Sequence, residues 1–352
     1  MDRITIIKYW LNLPRGLDQI IIKYDYYVDG LVDNEINIPE GIKTFKVLKD
    51  GRIFIATIDD SFILLDGNIK YTIENKVGQV TKMIVLPDNR IAILSHLDII
   101  GIINPDTKNY DTIFKEHHHP IFYNQLYVIN QNEDKYDMLS IDNQYIIIWD
   151  PNTGQIKNSI RIPRKYHFLS RISENEIMLG RKGYIEFYNL TTNKIGSKIY
   201  IKSEDIVYGK LLPDGKIWSI SDKFTINIYN PATKQSKRLY QFKSLIIIHP
   251  LSDNYIIIED FDEEGNVYFW NIETLNCDYI YSHKKGSVNS SIVLPDNRIA
   301  VSINNQILIF DLSLSTIPPF IITAPFYKIM IDLLPNGKVI LSSNEEALIT
   351  LK

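Results

Sequence analysis

The residues best suited to metal or covalent chemistry are few and poorly grouped. His117-His118-His119-Pro120 is the densest imidazole cluster. Neighbouring side chains on a strand point to opposite faces, so three consecutive histidines cannot converge on one ion from a strand. From a loop two of them could, but a solvated linker is the reading adopted, with no metal. Asp260, Asp262, Glu263, Glu264 and Gly265 gather carboxylates near a glycine. They lack the full alternating ligand spacing of a calcium loop and read as a charged hairpin tip. Cys277 is the single cysteine and has no His or Asp assignable to it as a partner. No phosphate-cradling glycine loop, nucleophile elbow or paired-His zinc motif occurs. The expectation is a non-enzymatic chain with no catalytic residue and no cofactor.

Composition narrows the class. Apolar residues make up 45% and charged residues 23%, which suits a globular chain with a sizeable core. Within the apolar set Ile and Tyr dominate, and β-branched and aromatic side chains favour strands. The net charge of −4 carries no long basic block, so nucleic acid is not an expected ligand. A lone cysteine excludes an intrachain disulfide and fits a reducing compartment. No secretory leader is read at the N-terminus, and the apolar runs are too short to span a bilayer. The expected location is the cytoplasm, with no membrane contact.

The elements that must position any site come from an internal repeat. An apolar strand, a tight turn and a second apolar strand recur as Leu86-Pro87-Asp88-Asn89-Arg90, Leu212-Pro213-Asp214-Gly215-Lys216, Leu294-Pro295-Asp296-Asn297-Arg298 and Leu334-Pro335-Asn336-Gly337-Lys338. Weaker copies begin at Leu48, Ile172 and Leu251. Pro presets the first corner, Asp bonds the backbone ahead, and Gly or Asn takes the left-handed conformation that closes the hairpin. The third turn position falls at 50, 88, 174, 214, 253, 296 and 336. The one double step places a copy with a decayed turn between 88 and 174, read as strand 122–129, a longer loop 130–135 and strand 138–141. Each unit then offers a third strand ending in an apolar or aromatic residue plus Asp or Asn, as in Leu65-Asp66, Trp149-Asp150, Tyr188-Asn189 and Trp270-Asn271. A more polar fourth strand follows.

Four short strands every 40 or so residues are the signature of propeller blades, and Trp149-Asp150 is the WD dipeptide. The chain resembles the WD-repeat β-propeller family, and its wording, such as Leu294-Pro295-Asp296-Asn297-Arg298-Ile299-Ala300, resembles giant-virus (mimivirus-like) WD-repeat proteins. The fold expected is all-β: a closed propeller of about eight four-stranded blades at 34–352, preceded by a 1–33 segment with a short helix. Seven blades with one unit packed outside is the alternative. The family's Gly-His dipeptide is missing, Ser282-His283 being its nearest echo, and the Asp between second and third strands survives patchily, as at Asp59 and Asp222. The last unit has three strands, so residues 35–38 are the expected donors of its fourth.

The N-terminal segment reads differently. Leu13, Pro14, Leu17, Ile20, Ile21 and Tyr24 follow helical spacing, with Pro at a helix start. The string resembles the first helix of an F-box, which implies docking to an adaptor of cullin-type ubiquitin ligases. A short helix packed on the propeller is the competing reading.

In the resembled fold, the inter-blade loops and the second-to-third loops open on one face, which commonly holds protein partners. On that face fall a basic arc, His117, His118, His119, Arg164, Lys165, Arg181 and Lys182, and an acidic arc, Glu204, Asp205, Asp262, Glu263 and Glu264. Lys284 and Lys285 lie beside the acidic tip. Such polarity would steer a complementary protein partner. Solvated loop tips are the plainer alternative.

Overall fold

A computed structural model describes residues 26–27, 32–115, 121–132, 135–142, 144–162, 166, 168–173, 175–192, 194–200, 205–244, 246–251, 254–261, 265–283, 286–312, 318–323, 329–342 and 347–351. The helix expected over 13–24 lies outside them, and no α-helix occurs among them.

The strands assemble into eight sheets, each built round a four-stranded antiparallel unit. The first runs through Ile42–Val47, Ile53–Thr57, Phe62–Asp66 and Ile69–Ile73, in that spatial order. The hairpin turns explain the succession. Leu48, Leu86, Leu212, Leu294 and Leu334 each donate their N–H to the carbonyl four residues on. The fourth turn residue lies in the left-handed region, with φ of 71° at Asn89, 79° at Gly215 and 66° at Asn297. Asp88, Asp214, Asp296 and Asn336 accept the backbone N–H two residues ahead through Oδ1, at 3.0–3.2 Å. The Arg side chain of the motif folds back on the same carboxylate, as Arg298 Nε does at 2.6 Å. The Leu, Asp or Asn, left-handed and Arg positions of the motif therefore serve the turn.

Asp or Asn at the end of the third strand has a matching local role. Asn104, Asp150, Asn189 and Asn230 accept the N–H two residues on, opening the turn into the fourth strand. The decayed unit is more regular than expected: Ile121–Asn132 and Lys135–Asp142 form a long hairpin paired as far as Asn132↔Lys135, interrupted by register shifts. Polar residues at 130–132 and 135 extend the strands where a loop was expected.

Backbone contacts divide the chain into two compact units, 1–72 with 247–271 and 276–352, and 73–246 with 272–275. In the first, the last blade consists of Met330–Leu333, Val339–Ser342 and Ala347–Leu351, completed by Val32–Asn37. The donor expected at 35–38 starts earlier and ends before Ile38: Glu35 pairs with Ile349, Ile36 with Leu348 and Asn37 with Ala347. Tyr26–Tyr27 runs parallel to Phe320–Thr323, adding a fifth strand to blade seven. Between the last and first blades lie Ile38, Ile42, Phe45, Ile55, Ile63, Ile340 and Leu348. Phe269, Phe310 and their neighbours fill the space between blades six and seven.

In the second unit, Leu94, Ile102, Phe114, Met138 and Trp149 join blades two and three. Leu139, Ile146, Ile148, Leu179 and Tyr188 fill the space between blades three and four. Met178, Ile185, Phe187 and Ile217 join blades four and five. Second strands such as Ile91–Ser95 and Ile217–Ser221 are buried at every position, since both of their faces are covered. Outer strands such as Gln235–Gln241 are exposed and polar. The fold is an eight-bladed β-propeller.

Deleting residues 344–352 removes the strand that pairs with Val32–Asn37 and leaves two open sheet edges. The truncated chain should partition into the insoluble fraction on expression. A soluble product with a sharp thermal transition would contradict this account of the last blade.

Candidate functional site

The backbone brings the inter-blade and second-to-third loops together at the same blade ends. Gly41 accepts from the Ile58 N–H, Gln79 from His96, and Asp205 from Asp222, each across these two loops. Asp222 Oδ1 in turn accepts the Asp205 N–H at 3.0 Å. To this end the sequence assigns the basic and acidic arcs. Of these, His117, His118, His119, Arg164, Lys165, Glu204, Asp262, Glu263 and Glu264 lie outside the described residues. So do Lys284 and Lys285, and the N-terminal set Leu13, Pro14, Leu17, Ile20, Ile21 and Tyr24.

Arg181, Lys182 and Asp205 are described. Lys182 is exposed in a loop of only two residues, closed by Gly183 at φ 71°. Arg181 is the last residue of the strand Glu176–Arg181 and is 6% exposed. It donates through Nη2 to Glu186 Oε1 at 2.8 Å. Lys198 Nζ reaches the same oxygen at 3.1 Å, and the Tyr166 hydroxyl donates to Oε2. Burial works to raise the Glu186 pKa, but hydrogen bonds from Arg181, Tyr166 and Lys198 outweigh it and hold the carboxyl below its usual range. Burial likewise raises the Tyr166 pKa, reinforced by Glu186. Sequence spacing gave no hint of this cluster beyond one carboxylate, Glu186, in an otherwise apolar and aromatic third strand.

A second hub lies at the opposite blade ends, where the first-to-second turns sit. Arg90, 8% exposed, donates to Asp88 Oδ2 at 2.8 Å and to Asp111 Oδ2 at 3.2 Å. It also reaches Tyr136 Oη at 3.0 Å, Asn152 Oδ1 at 2.7 Å and the Pro151 carbonyl at 3.2 Å. Tyr136 and the 151–152 turn belong to blade three, so this guanidinium fastens two blades. A planar fork with five donors suits that task.

Other reactive groups are also held in structural contacts. Glu259, 1% exposed, accepts from the Val288 N–H at 3.2 Å, with His249 Nε2 3.4 Å away. Cys277 Sγ donates to the Tyr279 carbonyl, and burial pushes its thiol pKa up to about 11. It is therefore overwhelmingly protonated near neutral pH and a weak nucleophile. Among the described residues no three His, Cys, Asp or Glu side chains are grouped to hold a metal ion. No described helix is long and apolar enough to cross a membrane.

Buried polar contacts between second and third strands differ from blade to blade. Trp149 Nε1 donates to Ser140 Oγ at 2.6 Å in blade three. In blade one Thr57, Asp59 and Ser61 bond to one another around the second-to-third turn. In blade six both ring nitrogens of His283 are buried without a hydrogen-bond partner.

This architecture is a repeat propeller with loop-lined blade ends. No family model and no curated protein matches the sequence. Solved structures do match. The C-terminal WD40 domain of Sif2 superposes with a TM-score of 0.59 at 15% identity, over 92% of this chain and 96% of that one. BamB from Moraxella catarrhalis gives 0.63 at 11% identity, over 91% and 99%. The WD40 repeats of RRP9 give 0.54 at 10% identity, over 79% and 96%. At these identities the likeness is one of fold.

Glu186→Gln leaves Arg181 buried without its counter-charge, and breaking a buried pair this way costs about 3–5 kcal/mol. The sign with pH follows from the lowered folded-state pKa. The carboxylate's contribution is complete above the unfolded value of 4.5 and is lost as pH falls through the folded one. Urea unfolding should show a less stable variant at pH 7 and a smaller difference from wild type in strong acid. A difference that stays constant with pH would contradict the charged pairing.

Proposed function

We propose that this chain is a non-enzymatic interaction scaffold of the WD-repeat kind, which holds a protein partner on the face where the inter-blade and second-to-third loops meet. The observation that carries the reading is the pairing within a blade, which brings its inter-blade loop against its second-to-third loop, as at Gly41 with Ile58, Gln79 with His96 and Asp205 with Asp222. Structural likeness to the WD40 domain of Sif2 and the WD40 repeats of RRP9 supports it. Arg90, Glu186, Glu259 and Cys277 are each engaged in contacts within the fold, in keeping with this reading. The partner carries charge complementary to a basic arc containing Arg164, Lys165 and Lys182. The setting proposed is the cytoplasm of a cell infected by a giant virus, or the virion itself, in keeping with the sequence wording.

A second reading is a substrate receptor of a cullin-type ubiquitin ligase. The connection at Tyr26–Tyr27 favours it, because the N-terminal segment joins the propeller along an outer strand of blade seven. An adaptor bound to residues 13–24 would then leave the partner-binding loops to a substrate.

One affinity-purification series from native host cells tests both readings. Charge reversal at Arg164, Lys165 and Lys182 should cut recovery of the partner severalfold, with Arg181 left intact because its charge belongs to the buried pair. Unchanged recovery would remove the basic arc. Deleting residues 1–25 should abolish any ligase adaptor in the eluate, and an eluate without adaptor from either chain would end the second reading.

A further inference from the structure

Blade four presents an aromatic and cationic corner whose geometry is set by strand register. Glu176–Arg181, Tyr184–Asn189 and Lys194–Tyr200 align so that Arg181, Tyr184 and Tyr200 form one cross-strand row. Leu179, Glu186 and Lys198 form a second row on the same face. The Arg181 guanidinium carbon lies 4.4 Å from the Tyr184 ring centroid, and Lys198 Nζ lies 4.0 Å from it. Tyr184 and Tyr200 meet edge to face, with centroids 5.3 Å apart. The row passes from a buried end, Arg181, to an open one, since Tyr200 is 61% exposed. Beside it Lys182 is exposed at the hairpin tip.

The exposed charges of this corner are cationic among the described residues from 175 to 200, with Asp205 the next described carboxylate along the chain. Among the described residues from 175 to 200 the cations are Arg181, Lys182, Lys194 and Lys198. The carboxylates are Glu176, at the far end of its strand, and Glu186, which is buried and bonded. Among these described residues no exposed carboxylate answers Lys182 or Lys198 within the three strands. Arg181 Nε is buried and has no hydrogen-bond partner. Packing fixes Tyr184 and Glu186 restrains Lys198, so both are held in place before anything binds. Tyrosine held in this way supplies contact area at low conformational cost. Preorganisation of that kind favours binding by reducing what must be ordered.

We propose that this corner of blade four is a docking site for an acidic, extended peptide segment of a protein partner. Carboxylates of the segment meet Lys182 and Lys198, and its backbone and apolar atoms lie across Tyr200. The proposal rests on the scaffold reading and narrows it to one blade.

The test uses the full chain and a fluorescein-labelled ten-residue peptide of alternating Glu and Ala, with alternating Gln and Ala as control. By fluorescence anisotropy the Glu peptide should bind saturably and weaken with added salt, while the Gln peptide should not. Lys182→Ala combined with Tyr200→Ala alters two exposed side chains. This double variant should still unfold in one sharp thermal transition, at a midpoint lowered slightly by loss of the Tyr184–Tyr200 contact, and lose about tenfold or more in affinity. Equal binding of the Gln peptide, undiminished binding by the double variant, or no saturable binding of the Glu peptide would each overturn the proposal. The scaffold reading has its own readout. If the double variant still recovers a partner that is lost on charge reversal at Arg164 and Lys165, the docking proposal fails and the scaffold reading stands.

Discussion

A sheet that is apolar on both faces has to be covered twice, and that constraint governs this molecule. Ile53–Thr57, Ile91–Ser95, Ile217–Ser221 and Ile299–Ile303 are buried at each of their positions. Alternation of inward and outward residues, usual in a sheet with one wet face, is therefore absent from these strands. A row of such units placed end to end would leave an apolar face bare at each terminus. Pairing Val32–Asn37 with Ala347–Leu351 removes that problem in the unit that contains both. It builds the last blade from two distant stretches of chain and places Ile36 and Leu348 against Ile42 and Phe45 of the first.

Apolar packing supplies bulk, but it does not fix the loops at the blade ends. Polar contacts do so, and different blades use different ones. Blade five links Ser221 to Thr225 and Thr225 to Asn227. In blade seven Ser302 is bonded to Ser290 and donates to the Ile329 carbonyl, which opens the next blade. Blade four uses a charged group, Glu186, where blade three uses Trp149 with Ser140. Buried charge is an expensive choice unless its partners are in place, and here three donors converge on one carboxylate. The same arrangement holds Arg181 and Lys198 against Tyr184, so a structural pair also shapes an exposed surface.

The propeller was legible in the sequence because its signals are local. A turn such as Leu294-Pro295-Asp296-Asn297-Arg298 contains its own hydrogen-bond partners within five residues. The unpaired third strand of the last unit likewise pointed to residues 35–38. The polar hubs were not legible because their members are far apart in sequence: Arg90 meets Tyr136 and Asn152 across a blade boundary. Arg181 shows the limit at closer range. As one of two basic residues before a glycine it reads as a loop tip, yet the strand continues through it and the pleat turns its side chain inward beside Glu186. Only Lys182 takes the exposed position that the sequence suggested for both. In blade three the absence of a tight turn motif suggested a loop, whereas continued pairing to Asn132↔Lys135 extended the hairpin.

Much of the described ionisable chemistry lies in contacts that shape the fold. Asp50, Asp88, Asp214 and Asp296 close their own turns with Arg52, Arg90, Lys216 and Arg298. Glu259 is bonded at the start of blade seven, and the Cys277 thiol is kept protonated by burial. The turn carboxylates are half-exposed but occupied by their own Arg or Lys, whereas Glu259 and Cys277 are held within the packing. Groups that are reachable include Lys182, Lys198 and Tyr200, whose chemistry is that of charge and flat apolar area. Groups of this kind can contribute to binding by electrostatic fit and by what covers the ring. The buried pairing of Glu186 with Arg181 and Lys198 thus holds Tyr184, and the exposed surface beside it, in shape.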